Sequence, residues 1–446
     1  MANDSSRRPS SQPVGPMRQF AWSLYDWANS PFVAVIVTFV ISAYFIEAVA
    51  PGGLPKAEQA AAKAAATADW LFMQGLAAAV VAVLAPVLGA IADRGGRRKP
   101  WLLLLSVIVA VCSFLLWWVK PEAGDGLLLL WLIAIAVIAF EMSMVFYNAM
   151  LPGLVREDFL GRLSGWAWAL GYAGGLACLV LVLYGFIQTE APPFGLEKAG
   201  AEHVRIAGPI VGIWMLVFAL PLFLFVPDRA SSGIPIGQAV REGLSQLKGT
   251  IVEVGKYREV VKFLLARLLF MDGINTLFIF GGPFAAAAFG MSVAEVAFFG
   301  ILLNVTAGIG AFFFGWVDDK LGAKLTVLIG VFGICIVGVP LLLIETKLWF
   351  YILGSCIGLF FGPVQSASRS LMARMAPPGM ETEMFGLFAF SGKATAFLGP
   401  LIAAFVINQT GSQHWGIATV LPFIFLGGIL LIFVKTEKID RDSVTG

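Results

Sequence analysis

The chain has 446 residues, of which 59% are apolar and only 13% are charged. A soluble protein of this length could not hide so much apolar surface from water, so the composition excludes an ordinary soluble enzyme and indicates a protein embedded in a bilayer. The net charge of +2 gives no sign of a nucleic-acid partner. The first segment, residues 1–19, is polar and rich in Ser and Pro, which predicts a disordered cytosolic tail.

Twelve apolar stretches follow this tail, each long enough to cross a bilayer as a helix. One crossing needs about 20 residues, and backbone groups in lipid must be hydrogen-bonded within the segment, which favours helices. We therefore predict an all-α membrane protein with twelve transmembrane helices at 20–49, 68–91, 100–119, 127–150, 161–187, 206–226, 258–289, 293–317, 324–344, 347–372, 384–408 and 413–434.

The positive charges predict the orientation of the spans. Of the 30 Lys and Arg residues, 21 fall in loops and tails on one side and six on the other. The remaining three, Arg267, Arg369 and Lys393, lie within spans. Because positively charged loops stay in the cytosol, we expect both termini to be cytosolic and the protein to lie in the inner (plasma) membrane.

The second half of the chain repeats features of the first half. One pattern of glycine, aspartate and basic residues follows the second span and recurs at the same offsets after the eighth, at Gly89, Asp93, Arg94, Gly96 and Arg98 and at Gly315, Asp319, Lys320, Gly322 and Lys324. Asp26 and Asn29 in the first span correspond likewise to Asp272 and Asn275 in the seventh, and Gly165 and Gly171 in the fifth span match Gly386 and Gly392 in the eleventh. Two homologous six-helix halves are the simplest account, and parallel repeats of this kind are typical of alternating-access transporters.

This repeat predicts the domain organisation. Two six-helix bundles at 20–226 and 257–434 are joined by a cytosolic linker at 227–256, and a short cytosolic tail follows at 435–446. Apolar residues at helical spacing predict an amphipathic helix in the linker. Such a helix either lies on the membrane surface or packs on the bundle as a connector.

Several segments give the chain a family resemblance. The GxxxDRxGRR pattern at 89–98 is similar to the signature loop of the major facilitator superfamily. Over about residues 20–434 the chain resembles the vacuole-effluxer family and its bacterial-type members. The segments that carry this narrower resemblance are 24–30 (LYDWANS), 147–152 (YNAMLP), 165–172 (GWAWALGY) and 362–370 (GPVQSASRS).

The resemblance implies the major facilitator fold and secondary solute transport, with no enzymatic activity and no cofactor. It also implies that spans one, four, seven and ten line a central cavity. Efflux of amino acids from a lumen is suggested for the fungal vacuolar member, and the substrate of this chain does not follow from it. The fourth span carries Glu141 where proton-coupled superfamily members often have arginine, which weakens any transfer of proton coupling.

Charged and amide residues within the spans mark the candidate site. A charge at membrane depth costs about 2.5–3.5 kcal/mol, so it usually faces a partner or a water-filled cavity. Helical spacing places Asp26 with Asn29, and Gln365 with Arg369, on shared faces. The candidate residues for the substrate and proton pathway are Tyr25, Asp26, Asn29, Glu141, Tyr147, Asn148, Trp168, Tyr172, Arg267, Asp272, Asn275, Gln365, Arg369 and Lys393.

Both signs of charge occur in this set, which suits a zwitterion. The carboxylates would meet an ammonium group, and Arg369 or Lys393 would meet a carboxylate. Trp166, Trp168 and Tyr172 could offer aromatic faces to a substrate cation. The alternative is that these residues form interhelical hydrogen bonds and ion pairs that hold the bundle together.

A coupling proton would need a carboxylate within the spans. Glu141 is the leading candidate, because a buried carboxylate binds a proton more readily than an exposed one. Asp272 is the second, with Arg267 nearby as a cation that could keep it ionised.

The loop at 89–98 is the candidate gate. The resemblance implies that Asp93 latches the two halves on the cytosolic side through helix ends and a basic partner, which helix dipoles would favour. The alternative is that the arginines only anchor the loop in the cytosol. The candidate gating residues are Gly89, Asp93, Arg94, Gly96, Arg97, Arg98, Gly315, Asp319 and Lys320.

We therefore predict a secondary transporter for a small polar or zwitterionic, amino-acid-like solute. It would act as a monomer in the lipid bilayer, with protons as the candidate coupling ion and no metal site. One alternative is a drug or lipid exporter, or a flippase, on the same fold, which predicts a mostly apolar cavity. The others are a membrane enzyme acting on lipid and a receptor or scaffold that does not transport.

Overall fold

The computed structural model describes residues 14–51 and 54–436, and all regular secondary structure in that part of the chain is helical. Eleven helices among these residues are long and apolar enough to cross a membrane. This confirms the predicted all-α membrane fold.

The first half of the chain supplies six long helices. They are α1 (Pro16–Val49), α2 (Lys56–Gly95), α3 (Lys99–Leu115), α4 (Gly126–Met150), α5 (Leu160–Val182) and α6 (Ala207–Phe225). α1 begins four residues before the predicted bound at residue 20, because Pro16 takes the first helical position, where a missing N–H costs nothing. Residues 1–13 of the predicted tail lie outside the described part.

The linker carries one amphipathic helix, α7 (Ile236–Val252). Gly243 lies directly against the backbone of Ile91 in α2, and the Gln246 side chain donates a hydrogen bond to the Glu383 carboxylate. The helix therefore packs on the end of the bundle, which is the second of the two arrangements expected for it.

The second half supplies the remaining helices. They are α8 (Arg258–Phe289), α9 (Val293–Leu321), α10 (Ala323–Leu341), α11 (Lys347–Met375), α12 (Glu381–Ser391), α13 (Leu398–Thr410), α14 (Gln413–Ala418) and α15 (Val420–Ile432). Residues 437–446 of the predicted C-terminal tail lie outside the described part.

The prediction of one continuous helix over 384–408 was wrong. The chain forms α12 and α13 instead, separated by a turn over residues 392–397. Gly392 adjoins the end of α12, and Pro400 occupies the third position of α13, where a proline is tolerated. Hydropathy runs unbroken through this turn, so an apolar window does not detect it.

The two halves contact each other through two equivalent helix pairs, α2 with α12 and α5 with α9. Glycines make these contacts close. A methyl group added at Gly89 would collide with the Thr382 carbonyl, and one at Gly165 with the Ala311 carbonyl. These are glycines that the internal repeat singles out, and small residues of this kind let helix backbones approach closely in membranes.

A lysine at the start of a helix makes the same kind of contact in each half. Lys99 at the start of α3 donates to carbonyl oxygens at the end of α6, at 2.7 and 2.8 Å. Lys324 at the start of α10 donates to carbonyl oxygens at the end of α15, at 2.8 and 2.7 Å. A cation is stabilised at a helix C-terminus by the macrodipole. The same type of contact therefore stabilises the end of the last helix in both halves.

Candidate functional site

A cavity of about 610 Å³ lies between the two halves, within the size range of small-molecule sites. Its wall includes the latter part of α1, the first turns of α9 and the first turns of α11. Eleven of the fourteen predicted site residues line it, namely Asp26, Asn29, Glu141, Asn148, Trp168, Tyr172, Arg267, Asn275, Gln365, Arg369 and Lys393. Helices from both halves therefore converge on one space.

Most of the remaining wall is apolar. Aromatic and aliphatic side chains surround the polar residues, among them Phe140, Met144, Phe278, Phe299 and Phe361. The charged groups are therefore few and fixed in place within a hydrocarbon surface. The wall therefore offers both charged groups and hydrocarbon contacts to a ligand.

An ion pair between Asp26 and Arg369 joins the two halves beside the cavity. The Arg369 Nη1 atom lies 2.9 Å from Asp26 Oδ2, and Arg369 is 1% exposed. Arg369 also donates from Nε to Ser164 Oγ at 2.8 Å and from Nη2 to the Ser164 carbonyl oxygen at 2.6 Å. The predicted partner of Arg369 was a substrate carboxylate. In this conformation a protein carboxylate takes that place.

Aromatic rings complete the surroundings of Arg369. Its guanidinium carbon lies 5.3 Å from the Trp22 ring centroid, 5.7 Å from that of Tyr147 and 5.5 Å from that of Trp168. The prediction placed Tyr147 and Tyr25 on the cavity wall, but both lie behind it in the core of the first half. They adjoin Asn148 and Asp26 in sequence, and consecutive residues on a helix point in different directions.

A second ion pair crosses the cavity itself. Lys393 Nζ lies 2.8 Å from Glu141 Oε1, and the two side chains are 33% and 24% exposed. Lys393 belongs to the turn between α12 and α13, so the break in the helix is what brings it to the wall. Glu141 was predicted to carry a proton because of its burial. The structure instead places it partly exposed and beside a cation.

The turn between α12 and α13 is held by polar side chains of α8. Arg267 Nη1 donates to the Phe388 carbonyl oxygen at 2.7 Å and to Ser391 Oγ at 2.9 Å, at the C-terminal end of α12. Asp272 Oδ2 accepts the N–H of Gly399 at 3.1 Å, in the first turn of α13. Each charge therefore matches the sign of the helix end it meets.

These contacts correct two expectations for α8. Arg267 was expected to act as a cation beside Asp272, but it binds α12 and forms no ion pair with another described residue. Asp272 was expected on the cavity wall, yet it is 2% exposed and lies behind that wall. Binding to the two ends of a broken helix draws the two side chains apart.

A first latch joins the halves at the end of the bundle that carries the 89–98 loop, which we call the latch end. Asp93 accepts hydrogen bonds from the N–H groups of Thr382 (3.1 Å) and Glu383 (2.8 Å) at the start of α12. Arg98 donates to Asp93 at 3.1 Å and to Glu381 at 3.0 Å. A carboxylate of the first half thus binds the positive end of a helix of the second half, and an arginine pairs with that carboxylate and with an acid in the first turn of the helix.

A second latch repeats this geometry with the halves exchanged. Asp319 accepts the N–H of Gly161 at 2.7 Å and the Nε–H of Arg162 at 2.6 Å, at the start of α5. The adjacent Asp318 pairs with Arg374 at 2.6 Å. The repeat in the sequence is therefore also a repeat in the contacts between the halves.

The basic residues of the predicted gate divide into two groups. Arg98 is buried and makes the contacts of the first latch. Arg94, Arg97 and Lys320 are exposed, and none forms an ion pair within residues 14–51 and 54–436. Arg94 and Lys320 lie near the C-terminal ends of α2 and α9, Arg97 lies in the loop between α2 and α3, and all three side chains point to solvent. Arg162 and Arg374, which sequence reasoning missed as gate residues, supply the cations of the second latch.

Gly96 ends α2 with a positive φ of 84°. An L-residue rarely adopts this conformation, and a methyl group here would also collide with the Ala230 carbonyl. Gly96 therefore shapes the turn that presents Arg98.

The chain is similar to known proteins over most of its length. A family model described as "Vacuole effluxer Atg22 like" matches residues 17–444. The chain is 25% identical to the uncharacterized MFS-type transporter YxiO of Bacillus subtilis, over 94% of both chains. It is also 25% identical to autophagy-related protein 22 of Cryptococcus neoformans, over 64% of this chain, and spans 52% of that protein's length.

Solved structures share the fold at low sequence identity. The proton:xylose symporter XylE, solved with 6-bromo-6-deoxy-D-glucose bound, superposes with a TM-score of 0.72 at 15% identity, over 96% of this chain and 98% of that one. FucP in its outward conformation gives a TM-score of 0.64 at 13% identity, over 95% and 99%. Both are transporters of the major facilitator superfamily, so the fold of this chain is that of the superfamily.

Proposed function

Because the chain belongs to the vacuole effluxer Atg22-like family, we propose that it moves a zwitterionic, amino-acid-like solute across the membrane by alternating access. Transport by the major facilitator fold is the function common to its relatives. The solute class is our inference from the cavity.

The observation that carries this proposal is the ion pair between Glu141 and Lys393. The two charges come from different halves, lie 2.8 Å apart and are both reached from the cavity. A zwitterion can replace each partner, with its ammonium group on Glu141 and its carboxylate on Lys393. The exchange preserves the charge balance of the site, so no charge is left buried without a partner.

Asp26 and Arg369 are less suited to that exchange. Their pair is almost fully buried, and the remaining donors of Arg369 are bound to Ser164 and Asn148. We propose that this pair forms the floor of the cavity and keeps the halves in register, while Glu141 and Lys393 receive the solute.

We further propose that the latch end is cytosolic and that the cavity faces the opposite side of the membrane. The excess of Lys and Arg on the latch end supports this orientation. The two latches hold the halves together there, and the cavity extends away from them along α1, α9 and α11.

Ligand-induced stabilisation of the purified protein tests the solute class. We expect single amino acids from a panel to raise the melting temperature, because a ligand that binds only the folded state stabilises it by about 2.7 kcal/mol at a hundredfold excess over Kd. Glu141→Gln and Lys393→Gln should each abolish this shift. Lys347→Gln removes a cation from an ion pair of 2.7 Å that lies off the cavity wall, and it should retain the shift.

A second candidate function follows from the apolar wall. An exporter of apolar cations or lipids on the same fold would use that surface and would not need Lys393. Stabilisation by such compounds that persists in Lys393→Gln, with no response to any amino acid, would overturn the zwitterion proposal in favour of this alternative.

A further inference from the structure

We infer that Asp272 binds the proton that is coupled to solute movement, an inference that rests on the transport function proposed above. Asp272 lies in α8, behind the cavity wall and beside the break between α12 and α13. Its Oδ2 atom accepts the N–H of Gly399. Its Oδ1 atom is fully buried and has no hydrogen-bond partner in the described part of the chain.

An ionised carboxylate in this position lacks compensation. Burying a charge is unfavourable unless the charge is paired and hydrogen-bonded. The same holds for a charged side chain at membrane depth. One hydrogen bond from a helix N-terminus satisfies Oδ2 alone. A proton on Oδ1 removes the charge and needs no further space.

The three cations within the spans are bound elsewhere. Arg267, on the same helix, is held by the Phe388 carbonyl oxygen and Ser391. Lys393 is paired with Glu141, and Arg369 of α11 is paired with Asp26.

The helices that pack against α8 bring no other free charge to Asp272. α13 and α15 contain no ionisable residue, and His414 of α14 lies against the Phe284 ring at 5.0 Å. The remaining acids of α9 and α12 are engaged at the two ends of the bundle. Glu295 pairs with Lys347, Asp318 with Arg374, Asp319 with Arg162, Glu381 with Arg98, and Glu383 with Gln246.

A metal cation fits this place less well than a proton. Calcium and magnesium ions take six or more oxygen ligands. The described residues contain no group of three or more acidic, histidine or cysteine side chains that could hold a metal. The one free oxygen of Asp272 matches the single bond that a proton forms.

A continuous segment of chain connects the residue that binds Asp272 to the solute site and to the first latch. The partner of Asp272, Gly399, lies in the first turn of α13, and the turn at 392–397, which contains Lys393, joins α13 to α12. The start of α12 is held by Asp93. An ionised Asp272 stabilises the positive end of α13, and a protonated one does so less. Proton binding is therefore linked to the position of Lys393, and by reciprocity solute binding is linked to protonation.

Infrared titration of the purified full-length protein tests the proton site without any solute. We expect a carboxylic acid band that titrates with pH, is lost in Asp272→Asn and is retained in Asp69→Asn, which alters an exposed acid of α2. Asparagine keeps the shape and the acceptor for Gly399, so this variant should fold. Retention of the band in Asp272→Asn, or its loss only in Glu141→Gln, would overturn the assignment. Loss of the band on replacing choline chloride with sodium chloride would also overturn it, in favour of a sodium ion.

Transport by proteoliposomes tests the coupling, with a mixture of tritiated amino acids as the probe. In Asp272→Asn, the rate of uptake driven by a pH gradient should fall at least tenfold. The rate at which this variant exchanges internal for external amino acids should stay within twofold of the wild type. Gradient-driven uptake that survives in Asp272→Asn would refute the coupling. Absence of both activities in the wild type would instead refute the proposed solute class, and the infrared result would still decide the proton site.

Discussion

Arg369→Leu is expected to lower the free energy of unfolding by about 3–5 kcal/mol, because it leaves the Asp26 carboxylate buried without its cation. Asp26 is 4% exposed and lies 2.9 Å from the guanidinium group. Denaturant-induced unfolding in mixed micelles, followed by tryptophan fluorescence, measures the loss. The size of this effect reflects a contact that joins the two halves in the interior of the bundle.

The double variant Asp26→Leu/Arg369→Leu separates this explanation from a simple loss of packing. Replacing a buried ion pair by apolar residues is often close to neutral, so the double variant should recover at least half of the lost stability. Lys347→Leu breaks a more exposed pair with Glu295 and should cost far less. A double variant that is less stable than Arg369→Leu would show that the pair is not the source of the effect.

Asp93→Ala should release the first latch. The carboxylate accepts two backbone N–H groups at the start of α12 and a side-chain donor from Arg98. A hydrogen bond to a charged group contributes about 1.5–3 kcal/mol, so amide hydrogen exchange at Thr382 and Glu383 should become faster by roughly 10–100-fold. Mass spectrometry of the peptides that contain these residues measures this rate.

Two controls accompany the latch experiment. Asp69→Ala changes an exposed acid of the same helix and should leave the exchange at α12 unaltered. Asp319→Ala should accelerate exchange at Gly161 and Arg162, whose N–H groups it releases. Unchanged exchange at Thr382 in Asp93→Ala would mean that the contact does not hold α12.

Hydropathy and charge predict the helical fold because lipid imposes both patterns on any spanning chain. The internal repeat goes further, since Gly89 and Gly165 recur at the two places where the halves make close contact. Hydropathy and charge are local properties of the sequence, and the repeat is visible because the two halves are homologous. Both can therefore be recognised without a structure.

The details of the site were harder to predict. Tyr25 and Tyr147 lie behind the cavity wall, because each is next in sequence to a residue that does face the cavity. Lys393 reaches the wall only because the helix breaks at 392–397. In the sequence, only Gly392 and the Gly399–Pro400 pair mark this break. Asp272 lies behind the wall because α13 offers its carboxylate an unpaired backbone N–H.

The sequence also does not predict which groups bind each other at the latch. Asp93 binds backbone N–H groups, and a backbone donor leaves no trace in residue identity. Arg98, Arg94 and Arg97 have the same chemistry, and only the rotation of the chain after Gly96 selects Arg98 for burial. The resemblance to a known family could supply the role of Asp93 but not the identity of its partners.

We propose that the two halves alternate, so that the latch end opens as the opposite end closes. Pulsed electron paramagnetic resonance distances test it most directly, in a background where Cys112, Cys178, Cys335 and Cys356 are replaced. One pair of spin labels at Pro100 and Leu321 reports on the latch end, and another at Phe194 and Leu343 reports on the opposite end; all four positions are exposed. On addition of the amino-acid mixture, we expect the first distance to lengthen while the second shortens. Two distances that stay fixed, or that change in the same direction, would contradict the account.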